Sequence, residues 1–343
     1  MKQRRKRLWA LGLGLLFASS AWAMSVPEAL RALGDLSERG EGSAGTVVRG
    51  REGWLFFTTE LRSISVGRFW GEAARRVSRA PNPDYADPLP AILDFHRQLQ
   101  RAGIRLLFVP VPAKVVIYPD RLLDDPPAER LDAAHAEFYG LLRQNGVEVL
   151  DLVPVYRAAR EGGDPLYCKQ DTHWSGRGIE LAAEEIVRWI GSPEWLEGVP
   201  KQPLESEYRS IRIAGDLWRD LGDPSLPQEE LVLRFVGRRT GGGLSPVPPW
   251  RESPVLLLGD SHTLVFQAGG DMHAQGAGLA DQLAFLLGFP VDLVGVRGSG
   301  ATPSRLTLYR RRDNLRGKRV VIWCLSVREF TEGQGWRKVP VVQ

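Results

Sequence analysis

Val255-Leu-Leu-Leu-Gly259-Asp260-Ser261-His262-Thr263 decides the fold: an unbroken apolar run passes straight into a Gly-Asp-Ser turn. A continuous run, as opposed to an alternating one, is the pattern of a strand buried on both faces, as in a parallel sheet covered by helices. In such sheets the reactive groups lie just beyond the carboxyl ends of the strands. A tight turn there exposes a side chain and aims backbone N–H groups at the same point. Ser261 stands where a nucleophile would. Gly, Asp and Ser are also common turn residues, so this segment alone reads equally well as a plain turn.

The chain on either side repeats the strand and helix alternation. Ile92, Phe95 and Leu99 share one helical face, Gly103 closes that helix, and 104–109 is a second continuous apolar strand. Leu131, Ala134, Phe138, Leu141 and Leu142 form the next stripe, ended by Asn145-Gly146 before a strand over 147–153. Ile179, Ala182, Ile186 and Ile190 mark a helix that stops at Gly191. Beyond Ser261 the pattern predicts a helix over 279–287, a strand over 291–296, a helix over 305–315 and a strand over 320–325. The expected fold is α/β with a mostly parallel central sheet between helical layers. Earlier, Gly50-Arg-Glu-Gly-Trp-Leu-Phe-Phe sets a Gly-flanked turn between two short strands, a hairpin. Residues 24–45 read as a linker with room for one short helix, and 192–250, rich in Pro and Gly, as an insertion or cap within a domain spanning 46–335. No repeat or heptad pattern is present, and no C-terminal carbohydrate-binding module is expected after Phe330.

The first 23 residues carry Lys2, Arg4, Arg5, Lys6 and Arg7, then an apolar run from Leu8 to Phe17, then Ala21-Trp22-Ala23. That order is a secretory signal peptide with a small-x-small cleavage site, and the run is shorter than the roughly 20 residues of a spanning helix. An uncleaved signal anchor is the alternative, and either places the rest of the chain outside the cytoplasm, in the periplasm. The formal charge of +4 belongs to this segment: removing its five basic residues leaves −1. A basic footprint for nucleic acid is therefore missing, and no nucleic-acid partner is expected. Cys168 and Cys324 are the two cysteines, which an oxidising compartment leaves open to pairing or to burial as free thiols.

A serine hydroxyl is a weak nucleophile at neutral pH and needs a base, which in turn needs a partner to fix its tautomer. Asp171-Thr-His173-Trp174, in a loop ahead of a helix, supplies both, and Trp174 is a candidate wall against water. Strand-Ser and Asp-x-His on separate sheet-edge loops together fit acyl transfer, with Ser261 as nucleophile, His173 as base and Asp171 as its orienter. The amide of Ser261 is one oxyanion donor. Arg297-Gly298-Ser299-Gly300, after a strand, is a second source or simply a turn. Lys114, Tyr118 and Arg328, near strand ends, are candidate glycan or carboxylate contacts. His262 and His273, with Asp271 nearby, match no recognised metal spacing, and neither a catalytic metal nor a cofactor is expected. His96 and His135 read as structural.

Several of these segments together resemble a known family. Gly50-x-x-Gly-Trp-Leu-Phe, Val109-Pro-Val-Pro-Ala-Lys114 with Tyr118-Pro119, Asp171-Thr-His173-Trp174, Ala214-Gly-Asp-Leu217, Gly259-Asp-Ser261, Val321-Ile-Trp323 and Arg328-Glu329 look like the AlgJ/AlgX alginate O-acetyltransferases, from about Val47 to Phe330. Ordinary SGNH hydrolases place Asp and His after the serine, so the earlier Asp-Thr-His-Trp is the specific element. The resemblance implies an SGNH-hydrolase-like three-layer α/β/α domain in the periplasm and carries Asp171, His173 and Ser261 onto the family's triad. It further implies a polysaccharide acceptor, a membrane-bound O-acyltransferase as acetyl donor and a place in an export complex. The chain departs from the family in His262, where an aromatic or small residue is expected, and in Ser175-Gly176, where Thr-Pro often stands. The triad alone leaves three readings open: a transferase, an esterase or deacetylase that uses water, and a non-catalytic glycan-binding assembly factor.

Overall fold

The computed structural model describes residues 23–343; the leader expected over the first 23 residues, Ala23 apart, lies outside them. The Gly-flanked hairpin is present as β1 (Val47–Arg49) and β2 (Leu55–Phe57), paired antiparallel. Then come β3 (Arg105–Val111), β4 (Glu148–Val149), β5 (Glu205–Ile213), β6 (Glu229–Thr240), β7 (Gly243–Ser245), β8 (Val255–Gly259), β9 (Asp292–Gly295) and β10 (Val320–Ser326). Five of these form one sheet in the order β4-β3-β10-β8-β9, every pairing parallel. Every residue of β8 and β10 is buried, which requires cover on both faces of the sheet. Trp323 in β10 sits at the centre of that core, edge-on to Phe95 and Phe108 at 5.4 and 5.3 Å between ring centroids.

Parallel pairing points all five carboxyl ends the same way, so the segments that leave them share one rim. Ser261 follows β8, Arg297 to Gly300 follow β9, Arg328 and Glu329 follow β10, and Lys114 follows β3. Residues 192–250 fold mainly as the antiparallel sheet β5-β6-β7 with a short helix, Asp216–Leu221, in the β5 to β6 connection.

Three segments depart from the sequence pattern. The strand expected over 147–153 shrinks to Glu148–Val149, because Asp151 accepts the amide of Val153 and Pro154 opens the helix Val153–Ala159. The helix expected over 305–315 spans Thr302–Arg311: Pro303 begins it early, and Arg312, Asn314 and Leu315 all take positive φ. Residues 24–45 are more than a linker. They hold the helix Val26–Ser37, where Ala29 and Leu33, four apart, are fully buried in the main core. Pro27 and the Ser25 amide, which donates to the Glu28 carboxylate at 2.9 Å, start that helix. Among the described residues no helix is long and apolar enough to cross a membrane.

Candidate active site

The turn that presents Ser261 is held by Asp260. One carboxylate oxygen accepts the amide of His262 at 2.9 Å, and the other accepts the amide of Ser326 at the end of β10 at 2.8 Å. The serine turn is thus tied to the neighbouring strand end. Gly300 packs against the same turn so closely that an added Cβ would lie 2.7 Å from the Asp260 amide. No hydrogen bond among the described residues uses the Ser261 amide, which is therefore free to face an oxyanion.

His173 Nε2 lies 2.8 Å from Ser261 Oγ, and His173 Nδ1 lies 2.6 Å from Asp171 Oδ1. A carboxylate only accepts, so Nδ1 carries the proton toward Asp171 and Nε2 is left to accept from the serine hydroxyl. That is the tautomer a general base needs. Burial works against a charged imidazole here, but the Asp171 carboxylate outweighs it and raises the His173 pKa above its ordinary value. For Asp171, burial pushes the other way, and His173 and His273 together hold its carboxyl well below the usual range. The ring of His262 lies 4.8 Å from that of His173. Burial lowers the His262 pKa to about 4, so it adds no second positive charge at neutral pH.

Asp171 Oδ1 also accepts the His173 amide at 3.1 Å, while Oδ2 accepts the Asp216 amide and His273 Nε2, both at 2.9 Å. Four donors, two per oxygen, occupy the carboxylate. Asp216 comes from the segment read as an insertion or cap. Its own carboxylate takes the Thr172 amide at 2.8 Å and the Thr172 hydroxyl at 2.6 Å, closing a two-way clasp on the Asp171 loop. Only glycine fits at 215, because any Cβ would run into the carbonyl of Gln170. Asp171, His173 and Asp216 offer ligand atoms within 4.8 Å of one another, a spacing that suits a cation, yet each of these atoms is already engaged in the bonds just described.

The structure sorts the remaining candidates into two groups. Arg297, Gly298 and Arg328 line a cleft of about 260 Å³ with Ser261, His173 and Asp216. Arg328 and Gly298 also line an adjoining depression, so they stand between two hollows at the groove beside the serine. Lys114, Tyr118 and Trp174 are corrections: all three are buried away from the cleft. Lys114 Nζ donates to the backbone carbonyls of Asp171 at 2.7 Å and Leu55 at 2.8 Å, so it fixes the Asp171 loop to the hairpin. The Tyr118 hydroxyl accepts the Leu166 amide at 3.0 Å. Trp174 donates to the carbonyl of His262 at 3.1 Å, which joins the base loop to the serine turn from behind. Cys168 and Cys324 are both free, buried thiols.

Residues that the sequence reading left without a site role are Asp216, His273, Phe57 and Glu329. Phe57, from the hairpin, lines the groove under the Arg328 guanidinium at 5.5 Å. Glu329 accepts the Ser299 hydroxyl at 2.7 Å and the Ala301 amide at 3.0 Å, and so sets the loop that carries Gly298. No local pattern announces a backbone amide or a second histidine as a carboxylate partner; the Gly-Asp pair at 215–216 is the one trace of it. A larger cleft, about 690 Å³, lies on the other side of the Asp171 loop, walled by Lys169, Gln170, Arg177 and Glu229, and does not reach Ser261.

Comparison with known proteins bears on this geometry. The family model for the SGNH hydrolase-like domain of the acetyltransferase AlgX matches residues 47–327. Curated relatives include proteins named as probable alginate O-acetylase AlgJ. That of Pseudomonas aeruginosa is 28% identical over 238 residues, 65% of this chain and 56% of the relative. That of Pseudomonas syringae is 28% identical over 177 residues, 52% of this chain and 41% of the relative. The chain thus spans about half the length of the curated relatives it matches. Among solved structures, the O-acetyltransferase domain of Pseudomonas putida AlgJ superposes with a TM-score of 0.62 at 25% identity, over 83% of this chain and 92% of that one. Pseudomonas aeruginosa AlgX shares the fold, with a TM-score of 0.55 at 18% identity over 82% and 61% of the two chains.

Proposed function

The chain belongs to the family of SGNH hydrolase-like acetyltransferase domains typified by AlgX, and from that premise we propose that it is a polysaccharide O-acetyltransferase working outside the cytoplasm through an acetyl-Ser261 intermediate. The observation that carries this reading is the bonded series from Ser261 Oγ through His173 to Asp171, 2.8 and 2.6 Å long, opening on a groove.

In the first half-reaction His173 Nε2 takes the Ser261 proton as Oγ attacks an acetyl carbonyl. The developing oxyanion faces the Ser261 amide and the Gly298 loop. Collapse breaks the bond to the donor's leaving group, which departs with the proton from His173. In the second half a sugar hydroxyl enters, gives its proton to His173 and attacks the acetyl carbon. Collapse then frees Ser261, which recovers the proton, and leaves an O-acetyl ester on the sugar. Arg328 and Arg297 at the groove favour an acidic polymer such as a polyuronate, of which alginate is the example named in the relatives. The basic and apolar leader supports a periplasmic site of action, and a membrane-bound O-acyltransferase in an export complex is the donor proposed.

The test incubates the protein with an activated acetyl ester, with and without acidic or neutral oligosaccharides, and follows products by mass spectrometry against Ser261→Ala. Acetylated oligouronate that vanishes in the variant is the expected result. Acetate release indifferent to any sugar would replace the transferase with an esterase, and no Ser261-dependent product would leave a binding role.

A further inference from the structure

His273 reaches Asp171 across 102 positions of sequence, and the backbone that delivers it is strained. It takes φ 71° and ψ −47°, and the Ala274 amide donates to the Met272 carbonyl at 2.9 Å across it. That is a γ-turn of the rarer hand, costly for any residue with a Cβ. Phe266, in the same loop, also takes a positive φ, and its ring lies 5.9 Å from that of His273. Two further bonds close the loop: Phe266 N to Met272 O at 2.8 Å and Gly269 N to Ala274 O at 2.9 Å. Strain of this kind persists where surrounding structure over-determines it, and here the strained residue aims a 7%-exposed side chain at the partner of the candidate base.

We propose that His273 is a positioning residue for acyl transfer: by donating from Nε2 to Asp171 Oδ2 it holds the carboxylate in the orientation that offers Oδ1 to His173. The proposal rests on the reading of Ser261, His173 and Asp171 as a triad. Since Asp171 only accepts, the proton of this bond resides on His273 Nε2. The Asp216 amide, on the same oxygen, constrains the carboxylate from a second element, so two donors from far-apart loops fix one rotamer. The same turn reaches the oxyanion side as well, through Asp271 and Arg297 at 2.6 Å, and Met272 lines the cleft. Outer partners that orient a working side chain typically contribute 10- to 100-fold at metal-bound histidines, and an effect of about that size is expected here.

The experiment measures kcat and KM for acetyl transfer in His273→Ala, His273→Phe and His273→Gln, with Ser261→Ala alongside and thermal unfolding on each. Phenylalanine keeps an aromatic ring beside Phe266 and donates nothing; glutamine donates without the ring. Expected is a kcat loss of roughly 10- to 100-fold in the alanine and phenylalanine variants with KM nearly unchanged, and substantial recovery in the glutamine variant. The far-downfield proton resonance of the His173 to Asp171 bond should move in the phenylalanine variant and return toward its place in the glutamine variant. A folded phenylalanine variant with wild-type kcat would overturn the proposal. So would a glutamine variant no better than phenylalanine, since packing alone would then explain the loss. Activity surviving in Ser261→Ala would instead sink the triad reading itself.

Discussion

At the scale of single residues, the candidate site works by filling its buried carboxylates with donors, two on each oxygen of Asp171, and Glu329 shows what that burial costs. Burial raises its pKa from 4.5 to about 7, in part offset by the Ser299 hydroxyl and the Ala301 amide it accepts. A folded-state pKa above the unfolded one means that the native state binds the extra proton. The contribution is therefore fully present below pH 4.5 and is lost as pH rises toward 7. At 1.36 kcal/mol per unit the loss is about 3 kcal/mol. Urea midpoints of the wild type should fall across that window, and Glu329→Gln, which stays neutral and still accepts, should flatten the fall. Asp281, raised to about 8 by burial, has the same sign, so the difference between the two proteins is the quantity to read. An identical slope in both would remove Glu329 as the titrating group. The meeting of Ser261, His173 and Asp171, seen as contacts of 2.8 and 2.6 Å, was legible because activation of a hydroxyl admits so few residue types. Lys114 and Tyr118 were misread for a related reason: a strand-end position shows that a side chain is near the rim but not whether it faces the groove or props the loops beneath it.

At the scale of elements, periodicity located the buried strands and the helix Leu279–Leu287, whose bounds agree with the apolar pattern. It failed where caps and prolines outrank hydrophobic spacing, as at Asp151 and Pro154 and again at Pro303. It also undervalued the helix Val26–Ser37, in which two fully buried residues suffice because a neighbouring helix, Thr58–Ser65, supplies the other half of the contact. The β5 to β6 connection matters most for chemistry, because it brings the Asp216 amide to Asp171 by way of glycine at 215. Gly215→Ala forces the connection away from the Gln170 carbonyl. Stability should drop by roughly 1–3 kcal/mol in urea titrations, as for other overpacked sites. Transfer activity should fall further than stability explains, with kcat affected before KM. Wild-type kcat in a folded Gly215→Ala protein would mean that the Asp216 amide does not help to set the carboxylate.

At the scale of the whole molecule, the parallel strands β8, β9 and β10 bring residues 261, 297 and 328 to one rim, where the Asp171 loop, the β5 to β6 connection and the His273 turn meet them, and no sequence spacing encodes that meeting. Sheet topology does, which is why the fold was readable from repeated strand and helix signals while most of the supporting contacts were not. The same topology buries both cysteines: Cys324 in the central strand β10, and Cys168 beneath the Asp171 loop, where its thiol donates to the Trp174 carbonyl at 3.4 Å. Burial pushes both thiols well above their ordinary pKa, so neither presents a thiolate to solvent. In the native protein a water-soluble disulfide reagent should therefore find almost no reactive sulfur. Once the chain is unfolded in guanidinium without any reductant, the same reagent should release two equivalents, one from each free cysteine. Fewer than two would mean that the pair had been oxidised and that the core around β10 had rearranged to let them meet. Rapid reaction in the native state would mean instead that the Asp171 loop opens, exposing Cys168 and, with it, the hydrogen bonds that hold His173 against Ser261.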